Sequence, residues 1–119
     1  MKKISSFCLI LMSFSSVAWA SPDFVCSLLN AKRVIAIAQN HATYDKNRHC
    51  TASCMLALKC NHQEVMMAGL LKEFRDLLGY GEPSQEDLEA NAFGIALAAK
   101  HAATTDAQCL SQCDLYYHP

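Results

Sequence analysis

The sequence predicts an all-α domain of four to five short helices stapled by disulfides. Three observations carry that prediction. Apolar residues recur at steps of three and four along the chain. No stretch sustains the period-two alternation of a half-buried strand. Six cysteines lie beyond an N-terminal export signal.

The signal sets the chemistry of the remaining chain. Lys2 and Lys3 form a positive start, Ile4 to Val17 is an apolar run softened by serines, and Ala18-Trp19-Ala20 puts small residues where signal peptidase reads them. The run is too short and serine-rich to span a bilayer stably, so cleavage before Ser21 is expected in preference to a retained anchor. Cys8 lies inside the apolar core, not just after it, which argues against a lipoprotein. The organisation expected is a signal peptide over residues 1–20 and one helical domain over 21–119, periplasmic or secreted, with no transmembrane helix in the mature chain. Without Lys2 and Lys3 the Lys+Arg count falls from 10 to 8 against 11 acidic residues, a net charge of −3. No basic cluster is present to neutralise phosphates, so nucleic acid is excluded as a partner.

The first helix is marked by Phe24, Leu28, Ala31, Ile35, Ala38 and Ala42, which make one apolar stripe expected to face the core. A second runs from about Asn47 to Cys60. Asn61 is placed to cap a third, with Glu64 three residues on as in a capping box. Its apolar face is Met66, Leu70, Phe74 and Leu77, and Gly79 is a natural stop. After the break from Gly79 to Ser84, Ser84 caps a fourth helix and Asp87 is the acidic residue of its first turn. That helix carries Leu88, Asn91/Ala92, Ile95 and Ala99 as its stripe. Thr105 with Gln108 opens a short fifth helix ending near Tyr117.

Helical geometry sorts the cysteines. Cys50 and Cys54 stand at i and i+4, as do Cys109 and Cys113, so each pair faces one direction and is badly placed to bond within itself. Two such pairs facing one another form a ladder. Antiparallel helices give Cys50–Cys113 and Cys54–Cys109, and parallel helices swap the partners. Cys60 is rotated away from Cys54, which leaves it for Cys26. Zinc is the alternative use of these residues, but Cys-x3-Cys is not the usual knuckle spacing and the compartment is oxidising. No metal and no cofactor is expected.

A few residues exceed what a staple and a core require. Arg48 and His49 stand immediately before Cys50, Glu73 borders the buried face of the third helix, and Asn91 lies on the apolar stripe of the fourth with Gly94 one turn later. Glycine inside a helix costs about 1 kcal/mol relative to alanine, so Gly94 marks a close helix approach or a ligand. Since buried polar groups must be paired, one reading makes Arg48, Glu73 and Asn91 a structural lock. The other makes His49 a general base with Glu73 or Glu89 as its orienting carboxylate. No Gly-x-Ser-x-Gly, His-Glu-x-x-His or dyad at diagnostic spacing supports the catalytic reading. Blander expectations cover the rest. Lys72 and Asp76 form an i,i+4 pair on a solvated face, and His101 suits the end of the fourth helix dipole. His62-x-Glu64 is too common to mean metal. Met55, Met66 and Met67 read as core filler, and Tyr116-Tyr117-His118-Pro119 as an exposed tail.

The run Arg48-His49-Cys50-x-x-Ser53-Cys54, then Lys72-Glu73-x-x-Asp76, then Glu86-Asp87-Leu88-x-Ala90-Asn91-x-x-Gly94-Ile95, with the closing Cys109-x3-Cys113, resembles a module at the C-terminal ends of Rhs-type and other polymorphic secreted proteins. The resemblance covers about residues 45–115. It implies a small helical exported domain whose Arg-His, acidic and Asn-Gly positions matter together. The present chain differs in standing behind its own signal, without a repeat shell. The function expected is an exported interaction or accessory module with a protein partner, such as a component of an envelope or secretion assembly. The alternative is a small hydrolase-like secreted effector using His49 and Glu73.

Overall fold

The computed structural model describes residues 24–42, 44–75 and 84–118, with residues 73–75 described in backbone alone. The signal, Asp76, Leu77, the stop at Gly79 and the side chains of Glu73 and Phe74 therefore lie outside the described residues. Among the described residues there are five helices and no strand: α1 (Val25–His41), α2 (Asp45–Lys59), α3 (His62–Arg75), α4 (Gln85–Ala99) and α5 (Asp106–Tyr116). None is long and apolar enough to cross a membrane.

Local chemistry starts most of them. Asn61 Oδ1 accepts from the backbone N–H of Gln63 and Glu64, Ser84 Oγ from that of Asp87, and Thr105 Oγ1 from that of Gln108. Helix α4 ends in a Schellman motif: the N–H of His101 bonds Ala98 O, that of Ala102 bonds Leu97 O, and His101 takes φ 58°. His101 thus serves as the left-handed residue that stops the helix.

Helix α2 is the centre of the domain. It packs most extensively on α4 and also meets α1, α3 and α5. Gly94 makes the α2–α4 approach possible, because a Cβ there would overlap the carbonyl oxygen of Cys50 and come within 3.0 Å of Cys54 N. Of the two roles open to that glycine, it performs close helix approach. Behind this contact, Cys50 joins Cys113 and Cys54 joins Cys109, the antiparallel ladder, while Cys26 joins Cys60. The four ladder cysteines are completely buried, together with Val34, Met55, Ala90 and Ala103. Each bridge stabilises by about 2–4 kcal/mol through the unfolded chain it constrains.

The stripe predicted on α1 is core only at its end, at Ala38 and Ala42, and on α3 the described stripe residues Met66 and Leu70 are exposed. On α1 the buried residues are Ser27, Val34 and Ala38, whereas Leu28 is 74% exposed and Ile35 46%. On α3 Glu64 and Val65 are buried, whereas Met66, Met67 and Leu70 are exposed, so of the three methionines only Met55 fills the core. The cause is tertiary: α1 and α3 both lean on α2 but barely touch one another, so the faces they turn toward each other stay uncovered. Helix α4 buries a wider face than its stripe, including Asp87, Ala90, Gly94 and Leu97, because it meets α2, α3 and α5. Ala92 and Ala99 are exposed. Tyr116 and His118 at the C-terminus are exposed, as expected, but the two tyrosines are held against α4. Phe93 meets the rings of Tyr116 and Tyr117 edge-on, with centroids at 4.7 and 5.9 Å.

Candidate functional site

Polar side chains from three helices converge where α2 begins. Asp87, in the first turn of α4, is buried, and its carboxylate accepts a hydrogen bond from the Lys46 ammonium. Lys46 Nζ also donates to Ser84 Oγ at 3.2 Å and Asp45 Oδ2 at 3.3 Å. His49 Nε2 lies 3.3 Å from Asp87 Oδ2 and 3.8 Å from Asp45 Oδ1, and Lys72 Nζ reaches Asp87 Oδ2 at 4.0 Å. Burial pushes the Asp87 carboxyl up, but the Lys46 hydrogen bond and the charges of His49, Lys46 and Lys72 outweigh it and hold it below the usual carboxylate range. The hydrogen bond to Asp87 in turn raises Lys46, against the opposing effect of its own burial.

The oxygen and nitrogen atoms of Asp45, His49 and Asp87 lie within 4.8 Å of one another, a spacing that suits a metal ion. The Lys46 ammonium contacts both carboxylates and so supplies the cationic partner from the chain itself. The second such group, Cys26, Cys60 and Glu64, has its two sulfurs joined in a disulfide and no thiolate to offer.

The predicted site residues are only partly brought together. Arg48 and Asn91 do not pair: Arg48 Nε donates to Ala42 O at 2.7 Å, closing the end of α1, and Asn91 Oδ1 accepts from Ser53 Oγ at 3.0 Å. His49 faces a carboxylate, but it is Asp87. Glu89 accepts instead from Gln85 on an exposed face, and its charge adds to burial in raising the Tyr117 hydroxyl. The side chain of Glu73 lies outside the described residues. Asp87 was legible only as a first-turn acid. The extra signal was its place three residues after Ser84, the position whose carboxyl is expected to turn back to the cap. Here it reaches across to α2 instead.

The same end of α2 opens on a groove of about 700 Å³. Its walls are the uncovered faces of α1 and α3, with α2 as floor: Phe24, Leu28, Ile35, Leu56, Val65 and Leu71 give it an apolar length. Asp45, Arg48, His49 and Lys72 gather at one end, since α1 and α2 run antiparallel between the Cys26–Cys60 bridge and the Arg48–Ala42 bond. Ser53 also lines the groove one turn beyond His49, but its hydroxyl proton goes to Asn91. The cysteines among the described residues are all in disulfides. Ser53 and these cysteines are thus spent elsewhere and offer the histidine–aspartate pair no activated nucleophile. No family model matches this chain, and no curated protein or solved structure is significantly similar to it.

Proposed function

We propose that this protein is an exported interaction module that takes an apolar segment of a partner protein into the groove between α1 and α3. One observation carries the reading: large aliphatic side chains of two helices, Leu28 and Ile35 on one and Leu71 on the other, stand exposed along a single concavity. Exposed apolar surface of that kind is disfavoured in a protein that works alone, and it marks binding grooves. Export is supported by the signal-like start and by three disulfides, which persist in oxidising compartments. A role as a component of an envelope or secretion assembly fits both. On this reading Arg48, His49 and Asn91 of the Rhs-type resemblance line the groove, and Gly94 sets the α2–α4 crossing behind it.

The test is site-specific photocrosslinking in the envelope, with the reactive group at Ile35 in the groove and, as control, at Ser111 on the exposed face of α5. Capture of one defined protein from Ile35 and not from Ser111 is expected. Equal labelling from both positions would sink the reading.

A further inference from the structure

We propose that in the free protein a second copy of this chain covers the groove. Each copy of a two-fold pair lays the Leu29 face of its α1 into the groove of the other, and a partner segment enters only by displacing it. The inference rests on the groove being a binding site and names what regulates access to it.

Shape selects a second copy, because the apolar surface is not confined to the concavity. Leu29, 77% exposed, stands on the side of α1 opposite its buried residues Val34 and Ala38. Met67 and Leu70 are exposed beside Leu71 on α3, and neither they nor Leu29 line the groove. A segment lying only in the concavity would leave these side chains in water. In a two-fold pair one surface meets itself, so it must carry both a concave part and the convex part that fits it. Helix α1 supplies both. Leu28 and Ile35 line its own groove, and Leu29, about 100° further round the helix than Leu28, is turned to enter the other copy's and meet Leu56 on the floor. An entering helix also brings its backbone groups already paired, so none is stranded against the apolar walls.

Area is sufficient and charge permits the pairing. At their fractional exposures Leu28, Leu29, Ile35, Met67, Leu70 and Leu71 open roughly 600 Å² of apolar surface, so two copies bury about 1,200 Å², the size at which specific, stable interfaces begin. The charged groups at the end of the groove are mixed in sign and matched within the chain, Lys46 with Asp45, Glu86 and Asp87, and Lys72 with Asp87. Apolar area, not charge, therefore chooses the occupant. Lys32, exposed on the same face of α1 as Leu29, is long enough to carry its ammonium to the rim.

The test is sedimentation velocity of the disulfide-intact exported protein from about 1 to about 100 μM. A species of twice the chain mass is expected to dominate by about 10 μM. Leu29→Glu and Ile35→Glu, one on the convex part and one in the groove, should each raise the dissociation constant about a hundredfold, since each change enters a two-fold interface twice. Leu115→Glu, at an exposed leucine of α5, should leave it unchanged. All three side chains are exposed, so the variants should melt with wild type. If one melts early, crosslinking between copies from a photoreactive group in place of Leu29 decides, and its product should map to the groove at Ile35 or Leu71. A monomer throughout the range, a dimer indifferent to Leu29→Glu and Ile35→Glu, or crosslinks that miss the groove would overturn the proposal. A monomer whose Ile35 position still captures one defined envelope protein would overturn it and leave the groove reading standing. A dimer that the Ile35 position crosslinks only to itself would support it and reject the separate partner.

Discussion

Glu64 on α3 accepts a hydrogen bond at 3.0 Å from the backbone N–H of Ser27, in the first turn of α1. Phe24 at the N-cap of α1 has no side-chain cap to offer, so Glu64, 37 positions beyond Ser27, performs that office. The contact is buried and stands beside the Cys26–Cys60 bridge. It is also what directs Glu64 away from the reciprocal capping box with Asn61.

Removing it should loosen the groove wall from one end. Glu64→Ala leaves the Ser27 N–H buried and unpaired and is expected to cost about 1–3 kcal/mol. Hydrogen exchange should show the first turn of α1 opening while the amides of α4 stay protected. Uniform loss of protection across both helices would refute this local role.

The Asp87–Lys46 pair makes stability depend on pH at both extremes. Asp87 titrates lower in the folded protein than its ordinary 3.8, so its contribution is complete above that value and is lost as pH falls through the folded pKa. Lys46 titrates above its ordinary 10.5, so its contribution is complete below that value and is lost as pH rises through the folded pKa. Asp87→Asn should cost about 1–3 kcal/mol near neutrality, because Lys46 loses its buried partner but keeps Asp45, and flatten the acid limb. His49→Ala should melt only slightly earlier, since Lys46 still serves Asp87. Denaturant unfolding measured from acid to alkaline pH reads all three. An unchanged acid limb in Asp87→Asn would contradict the assignment.

The two glycines at helix crossings should respond differently to alanine. At Gly94 the added methyl meets the backbone of Cys50 and Cys54, which a disulfide ladder holds in place, and a loss of about 3 kcal/mol or more is expected. At Gly69 it meets the Asn91 side chain, with Nδ2 at 2.7 Å, and Asn91 can give way at the expense of its bond to Ser53. A loss of about 1 kcal/mol is expected there. Thermal melting of the two variants ranks them, and the reverse order would be evidence against the α2–α4 crossing.

One substitution should stabilise. His101 holds φ 58° with a Cβ that disfavours it. His101→Gly should gain up to about 1 kcal/mol, part of it offset by glycine's freedom in the unfolded chain. A variant that melts earlier than wild type would show that the imidazole contributes something beyond closing the helix.

The staples and the export signal are checked on one preparation. Non-reducing peptide mapping should recover Cys26–Cys60, Cys50–Cys113 and Cys54–Cys109, and intact mass should place the first residue of the exported protein at Ser21. Cys26 joined to Cys109 or Cys113, or Met1 retained after export, would overturn the respective assignment.

Local sequence by itself determined where the helices are and how three of them begin. Asn61, Ser84 and Thr105 each cap within three residues of chain, and such bonds need no other element to form. The i,i+4 cysteine pairs likewise favoured a ladder, and the packing of α2 against α5 decided that it forms and in which direction. Tertiary structure decided everything that depends on which face a helix turns inward. The stripe of Leu28 and Ile35 has the same periodicity whether it meets a core or a groove, because periodicity records that apolar residues share a face and not what covers it. The partner of His49 was hidden for a related reason. Asp87 is 38 residues away, and a carboxyl in a first turn looks the same in sequence whether it serves its own helix or reaches, as here, to Lys46 and His49 on another.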